Sequence, residues 1–415
     1  MSYGNSNLKN SKTQIILLQL GALFEYFDLM LYVHLAFVLD DLFFPPAEGT
    51  NAQLISAIAF CSTFVFKPFG AIILGYVGDK IGRKFTTLVG IFSVAFCSLT
   101  MAILPSYAQI GISAAIILTL CRMTLSLFSM GEKIGTDIYL AEISTKSMRN
   151  VIVCTAGIAA GFGSTLSLGI GLILIEQSLN WRLAFVFGGI LAIVGLIARK
   201  KLKESGVFVY AKKQEVQTPA KEANWKVLVS YFCIDSVWPA IFYFVYIYCM
   251  GKLRNDFNYS AAEIIRHNFF ISVTELFSLI AMTIMVYRIY PLVILKIKLV
   301  FFIIFTFTLP WIINYISTPG ELFCIQILLV IFAPTIFPAA ALFIEHFPIL
   351  TRFSRIAIIC ALSRAIMYPI SSFGFIYLID NFGYWGTLFI NVPLFIGYAL
   401  GLNYFEKISK SSQYS

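Results

Sequence analysis

The 415 residues predict an all-α integral membrane protein with twelve transmembrane helices in two six-helix pseudo-repeats. Three observations carry that prediction. Hydrophobic residues make up 59% of the chain and charged residues only 12%, about half the charge of an ordinary soluble domain. The apolar residues gather into twelve runs, each near the ~20 residues that cross a bilayer as a helix. The Lys and Arg residues sort to one side of those runs. Such a composition excludes a soluble enzyme, a disordered chain and a nucleic-acid binder, so the net charge of +9 reads as membrane topology.

The chain opens on a polar stretch, MSYGNSNLKNSKTQ. The apolar run after it is too long for a signal-peptide core and carries no small-residue cleavage site. Spans are predicted near 14–39, 52–77, 86–105, 109–131, 151–176, 182–199, 226–250, 264–287, 290–314, 321–344, 355–379 and 384–405. Each must be helical, because lipid offers no partner to backbone N–H and C=O groups. The longest polar stretch, 199–225, reads as a solvated cytoplasmic linker. It divides an N-terminal bundle (1–198) from a C-terminal bundle (226–415). With the N-terminus inside, 22 of the 30 Lys and Arg residues fall at cytoplasmic positions, Arg199, Lys296 and Lys298 among them. Arg182, Lys252, Arg254 and Arg266 fall outside, and Lys67, Arg122, Lys133 and Arg364 fall within spans. This bias places both termini in the cytoplasm of a multi-pass protein. The eight cysteines sit in apolar runs without paired spacing, so they read as small buried hydrophobes rather than as disulfides or metal ligands.

Charged groups inside a span are costly and mark candidate sites. In span one, Glu25, Asp28 and Tyr32 share one helical stripe. Two close carboxylates repel when both are ionised, so one of them can carry a proton in a coupled cycle. The competing reading is that both pair with a cation and only hold helices together. Lys67, mid-span, needs such a partner, expected in Asp28 or Glu25. His34 points off the stripe and reads as a packing or interface residue. In span four, Arg122, Ser126, Ser129, Lys133 and Asp137 form a second stripe, with Glu132 beside it. Arg122 is placed to meet a carboxylate of a substrate or of span one. In span seven, Asp235 precedes Trp238 and Pro239, and the proline breaks the helical ladder. Broken helices often mark transport sites. Glu275 and Arg364 stand open between a site role and structural pairing. The aromatics of span seven suit a quaternary-ammonium cage, yet 40 Phe and 21 Tyr also produce such clusters by chance. The glycines of span five, Gly157 and Gly161 among them, read as helix-packing positions.

The halves repeat weakly. Glu142 and Arg149 stand seven apart after span four, and Glu345 and Arg352 stand seven apart after span ten. The loop after span two reads Gly75-Tyr76-Val77-Gly78-Asp79-Lys80-Ile81-Gly82-Arg83-Lys84. Its G-x-x-x-D-x-x-G-R-K pattern resembles the signature loop of the major facilitator superfamily, and Gly75, Asp79, Gly82, Arg83 and Lys84 are its candidate gating residues. A narrower resemblance runs through Gly21 to Tyr32, Phe66-Lys67-Pro68-Phe69-Gly70, Gly131-Glu132, Tyr139 to Glu142, Trp181 to Phe185, Leu202 to Ser205, Phe347-Pro348 and Arg352. These look like the metabolite:proton symporters, the branch that holds proline/betaine, α-ketoglutarate, citrate and shikimate transporters. The first half matches well and the second loosely. Lys67 stands where that family usually has Arg, and Lys133 and Asp137 replace uncharged residues. Met285 to Pro291 stand where a second signature loop would lie.

The resemblance implies the major facilitator fold and proton-coupled symport of a small polar or zwitterionic metabolite, like proline or betaine, by alternating access. Alternative readings are a carboxylate symporter, an exporter, or a transporter-derived membrane sensor. The expected partners are a small-molecule substrate, a proton and the lipid of a bacterial inner membrane, with no nucleic acid. The protein is expected to be a monomer without cofactor or metal. Glu25 and Asp28 are the expected proton carriers. Tyr32, Lys67, Arg122, Glu132 and Arg364 are expected to bind substrate or to form internal ion pairs. Three histidines, 34, 267 and 346, form no cluster that would suggest a membrane enzyme.

Overall fold

A computed structural model describes residues 2–44, 64–200, 202–214 and 224–413. The first part of span two and much of the linker lie outside the described residues. All regular structure within the described residues is helical. The helices are α1 (Ser2–Phe43), α2 (Lys67–Lys80), α3 (Arg83–Ile103), α4 (Ile112–Ile143), α5 (Arg149–Glu176) and α6 (Arg182–Arg199). A short linker helix follows, Gly206–Gln214. Then come α7 (Trp225–Phe257), α8 (Ala261–Arg288), α9 (Pro291–Asn314), α10 (Pro319–Glu345), α11 (Arg352–Phe382) and α12 (Thr387–Gln413). Each corresponds to one predicted span.

Local sequence explains where the helices start. Prolines open α9 and α10, where a missing N–H leaves nothing unsatisfied. Ser260 with Glu263 and Thr318 with Glu321 form capping boxes at the starts of α8 and α10. Outward faces carry Ile73, Phe96, Ile103, Phe277 and Trp311, which suit a hydrocarbon surround.

Helix α1 packs along α5 and also touches α4 and α6, while α3 lies against α4 and α6. In the second half α7 packs on α12 and α11, α8 on α10, and α9 on α12. Two long crossings join the halves, α5 with α8 and α2 with α11. The α2–α11 crossing needs Gly75, since a Cβ there would stand 2.7 Å from the Ser354 Cα. We call the end that carries the loops after α2, α4 and α10 the basic end.

The structure departs from the sequence reading at four places. Helix α10 is not continuous. It stops at Phe332, runs irregularly through Ala333 to Ile336, and resumes through a 3₁₀ turn at Phe337–Ala339. Pro334 has no N–H to donate, and Pro338 removes a second donor one turn later. Helix α7, by contrast, shows the break expected near Pro239: it is interrupted at Ser236 and then contains a π-helical segment at Tyr243–Tyr248. Arg199, expected among the solvated linker cations, ends α6 and is fully buried. Lys298, expected at a cytoplasmic position, is buried within α9 with its ammonium 3.1 Å from Met282 Sδ. The described part of the linker is also packed rather than solvated, because Phe208 buries its ring under the Arg83 guanidinium at 4.0 Å.

Candidate functional site

The centre of the molecule holds a cavity of about 70 Å³ between helices of both halves. Ligand pockets for small molecules are several times larger, so the cavity is closed down in this state. Helix α1 contributes Glu25 and Tyr26, α2 Lys67, and α4 Lys133. From the second half come Asp235, Trp238 and Phe242 of α7, Glu275 of α8, and Arg364 and Tyr368 of α11. The irregular stretch of α10 presents Thr335, Ile336 and Phe337 to the same space. Both interrupted helices therefore reach the cavity at or beside their breaks, where backbone groups released from the helix ladder are available to a ligand.

The charged groups of the cavity differ in how they are satisfied. Arg364 donates to Asp235 at 3.0 Å and to the Cys360 carbonyl at 2.8 Å. Ser363 also donates to Asp235. Glu275 accepts the Tyr246 hydroxyl at 2.6 Å. Glu25 is 4% exposed, and its Oε2 has no hydrogen-bond partner among the described residues. Lys67 is 2% exposed and lies 4.9 Å from the Phe64 ring. Lys133 lies 6.0 Å from the Phe337 ring.

The stripe of span one divides. Glu25 faces the cavity, whereas Asp28 turns toward α3 and α6, where Ser98 donates to it and Gly188 leaves room for it. Asp28, one of the two expected partners of Lys67, does not line the cavity that Lys67 lines. Tyr32 and Arg122 also sit away from the cavity, with the guanidinium over the Tyr32 ring at 2.9 Å from its centroid. Glu132 lies between helices and pairs with Arg199, whose second nitrogen donates to the Leu18 carbonyl at 3.2 Å. The side chain of His34 lies outside the described residues. Sequence reasoning passed over Lys298 and Arg199 because both sit where a span meets a basic loop. The proline pair at 334 and 338 was the signal for the break in α10.

At the basic end the signature loop ties the halves together. The Asp79 carboxylate accepts the backbone N–H of Phe353 at 3.1 Å and of Ser354 at 2.9 Å. These are orphan donors in the first turn of α11, where a negative charge also meets the positive end of the helix dipole. Arg83 is fully buried and donates to the carbonyls of Gly78 and Ile349, each at 2.8 Å. Gly82 takes φ +140°, a conformation that favours glycine, and lies against Glu204. From there the Glu204 carboxylate accepts the N–H groups of Arg83 at 3.1 Å and Lys84 at 3.2 Å, which satisfies the start of α3.

The two Glu/Arg repeats pair crosswise. Glu142 of the first half meets Arg352 of the second at 3.3 Å, and Arg83 approaches the same carboxylate at 3.5 Å. Arg149 of the first half pairs with Glu345 of the second. At the opposite end of α5, Arg266 of α8 pairs with Glu176. The halves are thus fastened at both ends around a small, charged cavity.

Comparison with known proteins places this geometry in context. Residues 15–227 match the family described as sugar (and other) transporter. The inner membrane metabolite transport protein YhjE of Escherichia coli (strain K12) is 31% identical over 257 residues, covering 58% of this chain and 58% of that protein. The proline/betaine transporter of Salmonella typhimurium (strain LT2) is 33% identical over 201 residues, covering 46% of this chain and 39% of that protein. The chain spans about half the length of the curated relatives it matches. Among solved structures, the proton:xylose symporter XylE bound to 6-bromo-6-deoxy-D-glucose superposes with a TM-score of 0.77 at 14% identity, covering 97% of this chain and 96% of that one.

Proposed function

Because the chain belongs to the sugar (and other) transporter family of the major facilitator superfamily, we propose that it is a proton-coupled symporter of a small polar metabolite carrying a carboxylate. Helices α1–α6 and α7–α12 act as two units, residues 1–198 and 226–415, that rock about the central cavity. The basic end faces the cytoplasm of a bacterial inner membrane, with both chain ends inside.

The observation that carries the reading is the cavity itself. Glu25 and Lys67 are buried in it without a hydrogen bond or ion pair between them, and both halves contribute its walls. An ionised carboxylate and an ammonium in such a place are costly unless something compensates them. A proton on Glu25 removes one charge, and a substrate carboxylate at Lys67 answers the other. Loading both together therefore favours the closed state more than loading either alone. The contacts at Asp79, Glu142 and Arg149 hold the cytoplasmic side shut and must break for release inward. Asp28, beside Ser98, is a second proton position on the same helix.

Uptake of labelled proline, betaine and α-ketoglutarate into proteoliposomes tests the reading, with and without an inside-alkaline gradient. The expected result is accumulation of one of them that a protonophore abolishes. In Glu25→Gln, exchange of substrate at zero gradient persists while gradient-driven accumulation is lost. Uptake that ignores the gradient in the parent protein would refute proton coupling.

A further inference from the structure

We infer that Glu275 carries a further coupled proton in the C-terminal half, loaded from the outer face through the hydroxyls of Ser272 and Tyr246 and sealed there by Thr165. The outer face is the end opposite the basic end. The inference rests on the symporter reading and adds to it a proton site outside span one.

Glu275 of α8 lies in the wall of the central cavity. Its Oε2 also ends a file of hydroxyl groups that leads away from the cavity. The Tyr246 hydroxyl donates to Glu275 at 2.6 Å. The Ser272 hydroxyl is hydrogen-bonded in turn to that of Tyr246. Ser272 then meets the Thr165 hydroxyl of α5 at 2.8 Å. Tyr246, Ser272 and Thr165 are all buried, and none of them is part of the cavity wall. Asn268 stands one turn from Ser272 on the same face of α8, nearer the outer end of the helix at Ala261. It is 2% exposed, and its Oδ1 has no hydrogen-bond partner among the described residues. Polar side chains buried within spans are costly and mark the path of an ion or a proton.

The order of donors sets a direction. Tyr246 gives its hydrogen to Glu275, and Ser272 gives its own to Tyr246. A proton arriving at Ser272 therefore moves each hydrogen one place inward. Every hydroxyl oxygen ends with one hydrogen, the carboxylate gains one, and rotation of the hydroxyls resets the file. The last link joins the two halves. The seam between α5 and α8 runs outward from Gly161 against Leu279, through Thr165 and Ser272, to Gly169 against Phe269 and Glu176 with Arg266. Rocking open to the outside must part that seam, so Thr165 leaves Ser272 and water takes its place. Closing returns Thr165 and cuts the file off from outside, while Glu275 still faces the cavity for release inward.

The charges around Glu275 leave its proton exchangeable. Lys298 of α9 attracts the ionised carboxylate, but its ammonium rests 3.1 Å from Met282 Sδ and makes no ion pair among the described residues. Across the cavity stand Glu25, Lys67, Lys133 and the joined Asp235 and Arg364, and the walls from α5 and α10 carry no charge. His267, on α8 itself, is turned to Gln326 at 2.7 Å.

Infrared spectra of the purified full chain in lipid nanodiscs test the inference without a substrate, through the carbonyl stretch of protonated carboxyl groups after a drop in pH. A band that forms in the parent protein and in Glu25→Gln should be missing in Glu275→Gln. Tyr246→Phe and Ser272→Ala should keep that band and slow its formation about tenfold or more, the low side of what a positioned proton donor contributes. A purely structural bond between Tyr246 and Glu275 would leave the rate unchanged. An intact set of bands in Glu275→Gln overturns the inference, as does unslowed formation in both hydroxyl variants. Proton stoichiometry of uptake, with whichever of proline, betaine and α-ketoglutarate accumulates, separates this inference from the symporter reading. Glu275→Gln should move one proton fewer per substrate than the parent. An unchanged stoichiometry leaves the symporter standing and rules out Glu275 as a carrier. If the parent shows no gradient-driven uptake, the symporter reading falls and takes coupling through Glu275 with it.

Discussion

Arg352→Gln and Arg149→Gln each remove one member of the crossed ion pairs, and the structure ranks their effects. The side chains of Glu142 and Arg352 are 1% and 10% exposed, whereas those of Arg149 and Glu345 are 20% and 46% exposed. Removing one partner of a buried pair leaves an uncompensated charge, at about 3–5 kcal/mol. Glu142 keeps Arg83 at 3.5 Å, so the cost falls to roughly 2–3 kcal/mol. An exposed pair contributes only about 0.2–1 kcal/mol. Both pairs link the halves, so their loss weakens the closed basic end specifically. Arg352→Gln should shift the closed-to-open ratio roughly 30- to 150-fold, and Arg149→Gln at most about fivefold. Spin labels at Lys146 and Lys410, both exposed at the basic end, report the change as a distance distribution. A long-distance population should dominate in Arg352→Gln and be minor in Arg149→Gln. Equal widening in the two variants, or none in Arg352→Gln, would refute the ranking by burial.

Gly75→Ala places a Cβ 2.7 Å from the Ser354 Cα. A backbone atom cannot swing aside, so α2 and α11 must part at about 1–3 kcal/mol, and the same label pair should show the open population rise. An unchanged distribution would mean that the crossing is looser than it stands here. Phe208→Ala removes the ring beneath Arg83 and should cost about 3 kcal/mol, the lower end for a buried aromatic. It should appear as a lower thermal midpoint and as faster proteolysis of the linker, and an unaltered midpoint would count against the packed linker helix.

The twelve spans were legible because hydrocarbon forces long apolar runs into helices, and that constraint acts within each run. The signature loop was legible as a residue pattern, yet only Gly82, at φ +140°, answers a local backbone demand; Gly75 and Asp79 serve the crossing with α11. The partition of Glu25 from Asp28 was not legible. Their spacing puts them on one stripe, but only the placement of α3 and α6 turns Asp28 toward Ser98. Arg199 was misread for a related reason. Its neighbours Lys200, Lys201 and Lys203 are linker-like, and its partner Glu132 lies 67 residues earlier in the chain. The break in α10 left a trace in Pro334 and Pro338, which an apolar run of that length concealed.

The crosswise joining of Glu142 to Arg352 and Arg149 to Glu345 has a consequence for anyone recombining this protein. Neither half completes either of these two bridges by itself, since each supplies one acid and one base to be met from the other side. Exchanging one half for that of a relative therefore alters both bridges in a single cut, however well the grafted helices pack. A workable chimera must bring matching ends of α4 and α10 from the same parent. Substitutions tolerated at one of these four positions are then decided by a residue some 200 positions away, in a segment that folds as part of the other bundle.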